Sequence, residues 1–448
     1  MFRISEKANP NYLAKVVQLP PLRKHSNADR LQCVSIDGNN VITDMTAKEG
    51  EYYVFFPLES AINKDFLAWS NGYEDKALNA DKEKKGFFNN KGRVRAIRLR
   101  GERSEGYICP LEVFLLWISE TFDPKAIHEY DLDGYKEEYF DSWHDTAKGS
   151  LNDVVLVEKY VVKHKHVQNA ARNTTKKVRR SKLVDGQFKL HVDTQQFKRY
   201  TDAIKADDII SVTYKLHGTS FVVGKVLCNK PLKWWERGLK AIGVPIETVH
   251  YDTIYASRKV VKNAFEEAYD PVHFYGYDLW EDIAKTLEEA LTPGITLYGE
   301  AVGYTRNGAF IQTPFDYGCR ENTFETYIYR ITMTNVAGRV FEFTTQQVKD
   351  YCLKNNLKYV PELYYGKAFH LSPMFGAGMP ETTEILLKDL SDLYLEKDCW
   401  MCNNKVPAEG VVIRREIFDI EAYKFKSFKF LEFETKQLDS GEAGLEEE

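Results

Sequence analysis

Short runs of apolar residues, separated by turn-forming residues, occupy the N-terminal quarter of the chain. Leu13–Leu19 is rich in apolar residues and is followed by Pro20-Pro21. Leu31–Ile36 and Val41–Thr43 flank Asp37-Gly38-Asn39-Asn40. That sequence is typical of a tight hairpin, because Gly, Asn and Asp tolerate the positive φ angles such turns need. The pattern therefore predicts a β-hairpin in a region built from short strands.

Three further strands are predicted in the same region, at Glu51–Phe56, Val94–Leu99 and Gly106–Cys109. The polar turn Arg100–Ser104 separates the last two. About five short strands with no long helix between them are typical of a small Greek-key barrel of the OB type. We therefore expect an OB-fold β-barrel at the N-terminal end.

The part of the chain after this region has a weaker pattern. Residues 111–160 mix apolar and polar positions, which predicts a connector with helical pieces. Lys163–Lys182 then carries eight Lys or Arg residues and no acid. This segment is either a solvated basic loop or a surface that contacts phosphate groups. Lys176–Lys182 also fits a nuclear localisation pattern, although that pattern is common by chance.

From about residue 186 the pattern changes to longer strands interrupted by helices. Ile209–Tyr214 and Ser220–Leu227 flank a tight turn, and Glu384–Glu396 has apolar residues at helical spacing. The aromatic run Phe274–Trp280 is expected to lie in the core. Asp439–Glu448 carries five acids and no base, which predicts a disordered tail.

Composition excludes several classes of protein. The 448 residues include 28% charged and 43% hydrophobic ones, which indicates a globular protein of about two or three domains, neither disordered nor a coiled coil. The formal net charge is −5, so nucleic acid could be bound only by local basic patches. No apolar run approaches the roughly 18 residues of a membrane span, and the N-terminus lacks an apolar secretory signal. We expect a cytoplasmic protein that does not bind membranes, with nuclear import left open.

The cysteines indicate a reducing compartment. There are seven, an odd number scattered over a long chain, as expected for free thiols. Cys399 and Cys402 form a CxxC pair, but a zinc site needs two more ligands at similar spacing and none is near. Two half-buried thiols are therefore favoured over a metal or redox site.

The most informative motif is Lys215-Leu216-His217-Gly218-Thr219-Ser220, in which a lysine ends one β-type run and a glycine turn leads into the next. Alone this signal is weak, because a lysine at the end of a strand is usually a solvated charge. Lys424 and Lys426, by the period of two, share one face of a later strand. Five further segments follow the motif in order, and each puts a basic, acidic or aromatic residue beside a β-type run: Ser257-Arg258-Lys259, Tyr298-Gly299-Glu300, Tyr327-Ile328-Tyr329-Arg330, Glu409-Gly410-Val411-Val412-Ile413-Arg414 and Tyr423-Lys424-Phe425-Lys426.

At these six segments the chain resembles the covalent nucleotidyltransferases, the superfamily of ATP-dependent DNA and RNA ligases and mRNA capping enzymes. The segments match the superfamily's motifs I, Ia, III, IIIa, IV and V in the family order, and six collinear matches are far more specific than one. The resemblance covers about residues 186–430. It implies an α+β fold in which an antiparallel-sheet nucleotidyltransferase (ligase adenylation) domain follows the OB domain.

Within this superfamily the details resemble RNA ligases. DNA ligases and capping enzymes usually carry Asp at the third position of motif I, whereas His217 stands there, as in RNA ligases of the editing and phage-repair type. The OB region precedes the catalytic module, as in the fifth family of ATP-dependent RNA ligases. His25–Gln32 and Arg100–Gly106 also resemble an OB domain of the tRNA-binding type.

The resemblance implies a three-step reaction. Lys215 attacks the α-phosphorus of ATP and pyrophosphate leaves; AMP passes to an RNA 5′-phosphate; an RNA 3′-hydroxyl then attacks and AMP leaves. The first step needs a neutral amine, whereas a free lysine has a pKa of about 10.4. Lys424 and Lys426 would lower that pKa and neutralise charge on the α-phosphate, unless they form only an exposed basic strand. Arg258 would engage the nucleotide or the RNA terminus.

The remaining motif residues would bind the nucleotide and a metal ion. By the resemblance Glu300 contacts the ribose or metal-bound waters, and Glu409 helps to hold Mg²⁺ or Mn²⁺, which needs few carboxylates. Both could instead cap local N–H groups in turns. Tyr329 would stack on adenine, with core packing as the alternative. His217 has the least defined role in motif I, and Gly218 would allow close backbone approach.

The OB region is the expected RNA platform, because OB folds combine a positive groove with aromatic stacking. Arg93 and Arg95 would share one strand face, and Arg98 and Arg100 the other. For Tyr52–Phe56 we favour barrel packing over stacking on bases. The basic segment at 163–182 could extend the track.

The sequence thus predicts an OB domain at 1–115, a connector with the basic segment at 116–185, a nucleotidyltransferase domain at 186–435 and an acidic tail at 436–448. The predicted activity is ATP- and divalent-metal-dependent sealing of RNA 3′-hydroxyl and 5′-phosphate ends in RNA repair, by a monomer. Two alternatives stay open: a ligase acting mainly on DNA nicks, and a non-catalytic OB-type binding protein whose ligase module has decayed. NAD as AMP donor is disfavoured, because the four-cysteine zinc module of that ligase class is missing from the sequence.

Overall fold

The computed structural model describes residues 1–129, 137–144, 153–161, 181–264 and 275–440. The chain divides into two compact units, each assembled from separate stretches of sequence. Unit 1 is Met1–Lys163, Thr383–Leu387 and Leu431–Gly441, and unit 2 is His164–Thr382, Lys388–Phe430 and Glu442–Glu448. Of the predicted basic segment, only Ser181 and Lys182 lie within the described residues.

Unit 1 is built mainly from short strands. They are β1 (Phe2–Arg3), β2 (Ala14–Gln18), β3 (Arg23–Lys24), β4 (Leu31–Ile36), β5 (Asn39–Asp44), β6 (Tyr52–Pro57), β7 (Ser60–Ile62), β8 (Ile97–Leu99), β9 (Glu102–Ser104), β10 (Gly106–Pro110), β11 (Glu138–Phe140), β12 (Ser142–Trp143), β13 (Val154–Val155) and β14 (Val157–Lys159). Its helices within the described stretches are α1 (Lys64–Trp69), α2 (Leu111–Thr121) and α3 (Ala126–Glu129).

All strand pairs described in unit 1 are antiparallel. The largest sheet has the order β10–β6–β2–β11, and the others are β3–β4–β5, β1–β12–β13, β14–β7 and β8–β9. The strands expected from the sequence are therefore present and antiparallel, whereas closure of these sheets into an OB barrel stays a prediction.

The β4–β5 hairpin has the geometry that its turn sequence predicts. Ile36 pairs with Asn39, which leaves Asp37 and Gly38 as a two-residue turn. Both have positive φ angles, 48° and 70°. Two positive φ values are the mark of a type I′ turn, whose twist matches that of the strands it joins. The predicted hairpin is confirmed.

The β2–β6 pair is covered on both faces, which explains why β6 is apolar throughout. Val54 and Phe56 belong to a core that includes Phe114 and Trp117 of α2. Tyr53 and Phe55 point into a second core on the opposite face. The packing role expected for the aromatic residues of β6 is thus confirmed.

Of the four arginines predicted to share one strand, only Arg98 lies in it, and Arg100 follows it. Strand β8 covers only Ile97–Leu99, so Arg93 and Arg95 lie before it. Arg93 is 2% exposed, and its Nη2 donates to the Thr435 carbonyl at 3.2 Å within unit 1. Arg95 and Arg98 form ion pairs with Asp439 and Glu432. The expectation that Arg93 presents its charge to RNA is wrong, because its side chain is buried.

Unit 2 has longer strands. They are β15 (Gln195–Gln196), β16 (Ile209–Lys215), β17 (Thr219–Asn229), β18 (Val249–Ala256), β19 (Ile295–Gly303), β20 (Phe324–Thr334), β21 (Val340–Glu342), β22 (Lys358–Tyr359), β23 (Glu362–Lys367), β24 (Gly410–Glu416) and β25 (Ile420–Lys426). The helices that follow α3 in the chain are α4 (Trp234–Ala241), α5 (Leu279–Leu287), α6 (Thr345–Lys354), α7 (Ala368–Leu371), α8 (Pro380–Tyr394) and α9 (Phe428–Ser440).

These strands form two sheets. A five-stranded sheet has the order β15–β25–β24–β16–β23, and a larger sheet has the order β18–β17–β19–β20–β21 with β22 beside β20. Neighbouring strands are antiparallel except for the short β15 and β22. The predicted α+β class with antiparallel sheets is confirmed.

Helix α5 packs on the larger sheet and is hydrogen-bonded to β17. Leu279, Trp280 and Ile283 share a core with Phe221 and Leu297. Trp280 Nε1 donates to the Ser220 carbonyl at 3.1 Å. The core role expected for the aromatic run ending at Trp280 holds for its described residues, and Phe274 lies outside them.

The helices near the C-terminal end differ from prediction at their ends. The helix predicted at Glu384–Glu396 is α8, which begins at Pro380. Proline is favoured in a first helical turn, since it gives up an N–H that has no partner there. Helix α9 continues through Ser440, past the predicted start of the tail at Asp439, and residues 441–448 lie outside the described residues.

All seven cysteines have free thiols. In the described part of the chain, no group of three or more His, Cys, Asp and Glu residues could hold a metal ion, so no further ligands join Cys399 and Cys402. No helix among the described residues is both long and apolar enough to span a bilayer.

Candidate active site

The register of β16 and β24 brings the motif I lysine to the motif IV carboxylate. Lys215 is the last residue of β16 and pairs with Gly410, the first residue of β24. Glu409 immediately precedes that pair. Lys215 Nζ donates to Glu409 Oε1 at 2.5 Å, with the Glu409 side chain fully buried and that of Lys215 19% exposed. A charged amine and a buried carboxylate thus meet at the end of two strands.

Strand β25 adds two more lysines on the other side of β24. Lys426 pairs with Gly410 and Lys424 with Val412, so both side chains lie on one face, as predicted. Both residues are at most 8% exposed. Lys426 Nζ is 3.9 Å from Glu409 Oε1. The centre therefore holds more positive than negative charge, which suits it to an anion.

Glycine is required at two positions beside these side chains. A Cβ on Gly218 would lie 2.2 Å from the Ala301 carbonyl oxygen. A Cβ on Gly410 would lie 2.2 Å from the Phe425 carbonyl oxygen, and the φ of Gly410 is 146°. The close backbone approach predicted for Gly218 is therefore an approach to β19.

The motif III carboxylate comes from the larger sheet. Glu300 of β19 pairs with Ser220 of β17, whose Oγ donates to Glu300 Oε2 at 3.0 Å. Burial raises the pKa of Glu300 to about 7; the nearby Lys215 lowers it and Glu409 raises it further. The two sheets thus bring Glu300 within electrostatic range of both residues of the ion pair.

The ring of His217 packs against aromatic side chains. Its centroid lies 4.8 Å from that of Phe315 and 4.9 Å from that of Phe430, with both rings edge-on. The residue is 4% exposed. This arrangement gives the ring a packing role, and its predicted contact with the nucleotide stays a prediction.

The loop after β19 holds the backbone of motif I. The His217 N–H donates to Tyr317 Oη at 2.6 Å. Gln312 Nε2 donates to the Gly218 carbonyl at 3.0 Å. Both side chains are buried. Sequence reasoning missed Gln312 and Tyr317, because nothing in their spacing marks a loop that reaches back to the first motif.

Two residues upstream of the motifs also belong to the site. Asp193 Oδ1 accepts hydrogen bonds from Arg258 Nε at 3.0 Å and Nη2 at 2.7 Å. His191 Nδ1 lies 3.0 Å from Tyr329 Oη. Burial, followed by the charge of Arg258, lowers the pKa of His191 to about 3, so its ring is neutral at pH 7. Neither residue carries a motif, and no sequence signal singled them out.

The remaining predicted side chains lie around the same centre. The charge of Arg258 lowers the pKa of Glu300, and that of Glu300 raises the pKa of Tyr329 beyond the effect of burial. Burial raises the pKa of Asp193, but the charges of Arg258 and then Lys424 lower it to below its usual value. The structure therefore brings together the residues taken from all six motifs, with His217 contributing its backbone.

The carboxylates fit a hard divalent cation. Glu409 Oε2 is buried and has no hydrogen-bond partner among the described residues, although Oε1 of the same group has one. An oxygen in this state can accept a cation without losing another bond. Glu300 is the second carboxylate nearby. Mg²⁺ keeps several waters and binds through one or two carboxylates, so this pair suffices.

Comparison with known proteins agrees with this geometry. Residues 208–430, about half of the chain, match the model of the RNA ligase family. No curated protein sequence matches. The match to the family model, together with a strand-end lysine bonded to a buried carboxylate, assigns the chain to the nucleotidyltransferase-type ligases. Through residues 208–430 the chain belongs to the RNA ligase family, which confirms the predicted family.

Solved structures of an RNA ligase from Naegleria gruberi share the fold. An apo variant of that enzyme has a TM-score of 0.55 at 16% identity, covering 95% of this chain and 99% of the other. A variant with ATP and Mn has a TM-score of 0.54 at 15% identity, covering 94% and 98%. The enzyme with pyrophosphate has a TM-score of 0.52 at 15% identity, covering 95% and 99%. The likeness extends over nearly the whole length of both chains.

Proposed function

We propose that this chain seals RNA ends with ATP as the AMP donor, through a covalent lysyl–AMP intermediate on Lys215. The observation that carries the proposal is the contact of Lys215 Nζ with the buried Glu409, beside the inward lysines Lys424 and Lys426. An ordinary strand-end lysine is solvated and has no such surroundings.

In the first step the Lys215 nitrogen forms a bond to the α-phosphorus, and the bond from that phosphorus to pyrophosphate breaks. Only the neutral amine has a lone pair for this attack. The ion pair with Glu409 orients the amine. This ion pair must break, and the ammonium group of the partly exposed Lys215 must give a proton to solvent, before the nitrogen attacks. Negative charge grows on the α-phosphate oxygens meanwhile, and fixed cations such as Lys424 and Lys426 stabilise it because they need no reorganisation.

A divalent cation, Mg²⁺ or Mn²⁺, would be held by Glu409 with Glu300 beside it. When bound, such an ion neutralises phosphate charge. Arg258, fixed by Asp193, would engage the nucleotide or the RNA terminus. Tyr329, fixed by His191, would stack on adenine. The Naegleria gruberi variant with ATP and Mn supports both cofactors.

In the later steps AMP would pass from Lys215 to an RNA 5′-phosphate, and a 3′-hydroxyl would displace it. The strands of unit 1 would form the OB domain that binds RNA, ahead of a nucleotidyltransferase domain at 186–435. A monomer in the cytoplasm fits this role, and the seven free thiols support a reducing compartment. Nothing in the comparisons favours the DNA ligase or the decayed-module alternative.

Incubation with Mg²⁺ and ATP labelled at the α-phosphate tests the first step. A protein–AMP adduct that acid but not alkali releases is expected, as for a phosphoramide. Lys215→Ala should abolish it, and Lys225→Ala on β17 should not. Undiminished labelling of Lys215→Ala would falsify the assignment of the nucleophile.

The RNA assignment needs a separate test. Two nicked duplexes that differ only in having ribose or deoxyribose on the 3′-hydroxyl side should be sealed at very different rates, with the RNA-ended nick faster. Equal rates on the all-DNA nick would instead support a DNA ligase.

A further inference from the structure

Helix α4 lies in an unusually long connection between two paired strands. β17 ends at Asn229 and β18 begins at Val249, and these residues pair directly. The Lys230 N–H donates to the Thr248 carbonyl at 2.8 Å, so the connection leaves and returns at one point. Most hairpin loops have about two to five residues, whereas this connection is much longer and carries a helix of its own. Residues 230–248 therefore form an added element on the hairpin.

The added element exposes large apolar side chains. Trp234 is 85% exposed, Trp235 45% and Ile242 76%. Tryptophan is highly buried on average, so two exposed neighbours need a cause. An apolar patch rimmed by polar residues marks an interaction site more often than chance exposure does.

The rim of this patch is basic. Lys233, Arg237 and Lys240 are exposed. Glu236 is the carboxylate among them, and it is used internally: Oε2 accepts the Lys233 N–H at 2.7 Å, and Oε1 lies 3.1 Å from Lys230 Nζ. Lys233 Nζ lies 5.9 Å from the ring centre of Trp235, within the range of a cation–π contact. The patch therefore presents aromatic rings and positive charge together.

We infer that α4 binds the RNA substrate at a distance from the join, with Trp234 and Trp235 stacking on bases and Lys233, Arg237 and Lys240 contacting phosphates. Aromatic rings beside cations are the combination that binds single-stranded nucleic acid without sequence preference. Among possible occupants, a polyanion fits the charge. The inference rests on the proposed function, which already supplies RNA as the substrate.

The length of β17 sets how far along an RNA that follows this strand α4 would reach. β17 begins four residues after Lys215 and is eleven residues long. At about 3.3 Å per residue it spans about 36 Å. At about 3.4 Å per nucleotide this corresponds to roughly ten nucleotides. Short substrates would therefore miss the helix, whereas long ones would contact it.

Sealing kinetics on single-stranded RNA ends of about six and about twenty nucleotides test this. With Trp234→Ala/Trp235→Ala, the KM for the long substrate should rise about tenfold, as expected for loss of base stacking. The KM for the short substrate and the rate of lysyl–AMP formation should not change. Phe418→Ala removes an aromatic side chain that is 99% exposed elsewhere in unit 2, and it should leave both substrates unaffected.

The charges are tested by salt. Lys233→Ala/Arg237→Ala/Lys240→Ala should reduce the slope of log affinity against log salt concentration by about two for the long substrate. Lys388→Ala on α8 is the control and should leave the slope unchanged.

Three results would overturn the inference. They are an unchanged KM for the long substrate, an equal loss on both substrates, or tryptophan-dependent binding to anionic phospholipid vesicles without any effect on RNA. Sealing of the short substrate by the wild-type protein tests the proposed function separately, so its failure cannot be confused with failure at α4.

Discussion

Two buried charge clusters lie at opposite ends of β16 and β24 in unit 2, the second of them shared with β20 and β21, and they differ in how well their carboxylates are bonded. At one end of β16 and β24 are Lys215 and Glu409. At the other end Glu416 accepts hydrogen bonds from Ser211 Oγ at 2.8 Å and from the Thr345 N–H at 2.9 Å, so both of its oxygens are engaged. Glu409 uses only Oε1.

The second cluster is also balanced in charge. Arg330 donates to both oxygens of Glu342, at 2.8 and 2.9 Å, and Arg414 lies between Glu342 and Glu416. The atoms of this cluster that lack a hydrogen-bond partner are guanidinium nitrogens of Arg330 and Arg414, whereas its carboxylates are bonded through both oxygens. The Lys215 cluster has an excess of cations and an oxygen without a partner, so it is complete only with a nucleotide and a cation. A buried carboxylate with both oxygens bonded therefore serves the fold, whereas one with an unbonded oxygen and surplus cations beside it serves chemistry.

The largest effect is expected from a substitution that breaks the balanced cluster. Glu342→Ala leaves the Arg330 side chain, 8% exposed, without its partner, and breaking a buried ion pair costs about 3–5 kcal/mol. The free energy of unfolding, from urea titration, should fall by that amount. Lysyl–AMP formation per folded molecule should persist. Glu325→Ala breaks an exposed pair with Lys358 on the same sheet and should cost under about 1 kcal/mol. A similar loss in both variants would contradict the comparison.

The next largest effect is expected from a substitution in the cluster around Lys215. Lys426→Ala should slow lysyl–AMP formation by about 10²–10³-fold, the loss typical of one preorganised charge at a reacting oxyanion. Single-turnover labelling measures this, with Lys225→Ala as the control and circular dichroism to confirm folding. A normal labelling rate would show that the lysine serves only the fold.

The pH dependence of metal binding by Glu300 distinguishes the Lys215 cluster further from the balanced one. Its pKa, raised to about 7, means that the carboxyl is largely protonated at pH 6 and ionised at pH 8. A cation binds the ionised form, so affinity for Mn²⁺ should rise by up to about tenfold between these values and then level off. Titration calorimetry should show protons released on binding at pH 6. Glu300→Gln should remove the pH dependence of Mn²⁺ affinity. If the pH dependence persists in this variant, it arises from another group.

The smallest effect concerns support of the motif I turn. Tyr317→Phe removes the acceptor of the His217 N–H, a bond worth about 1 kcal/mol. Lysyl–AMP formation should slow by about three- to tenfold, with a smaller change in the KM for ATP. Tyr304→Phe in the same loop removes a hydroxyl that does not contact motif I, and should have no effect. Equal behaviour of the two variants would exclude a positioning role.

The fold could be predicted where local pattern decides it. The β4–β5 hairpin follows from Asp37-Gly38, because few sequences accept two positive φ angles. β16 and β17 follow from apolar runs around a glycine turn. The start of α8 and the end of α9 could not be predicted, because helix ends depend on capping and tertiary packing more than on periodicity.

The site could be predicted as far as the motifs reach. The order of six segments indicated which side chains meet, and the register of β16, β24 and β25 brings three of these segments together. Asp193 and His191 could not be found this way, because their partners lie 65 and 138 residues further along the chain. The prediction for Arg93 was wrong for the same reason. A basic residue on a strand is expected to be exposed when the distant group that binds it cannot be identified from the sequence.

The burial of Arg93 has a consequence for biosynthesis. Its hydrogen-bond acceptor, the Thr435 carbonyl, is 342 residues further along the chain. At about 5–20 residues per second, a ribosome needs roughly 20–70 s to make that stretch. During that time the N-terminal unit carries an arginine whose final partner has not been made. Folding of this unit can begin early in translation, but its last native contacts must wait until residues 431–441 have emerged.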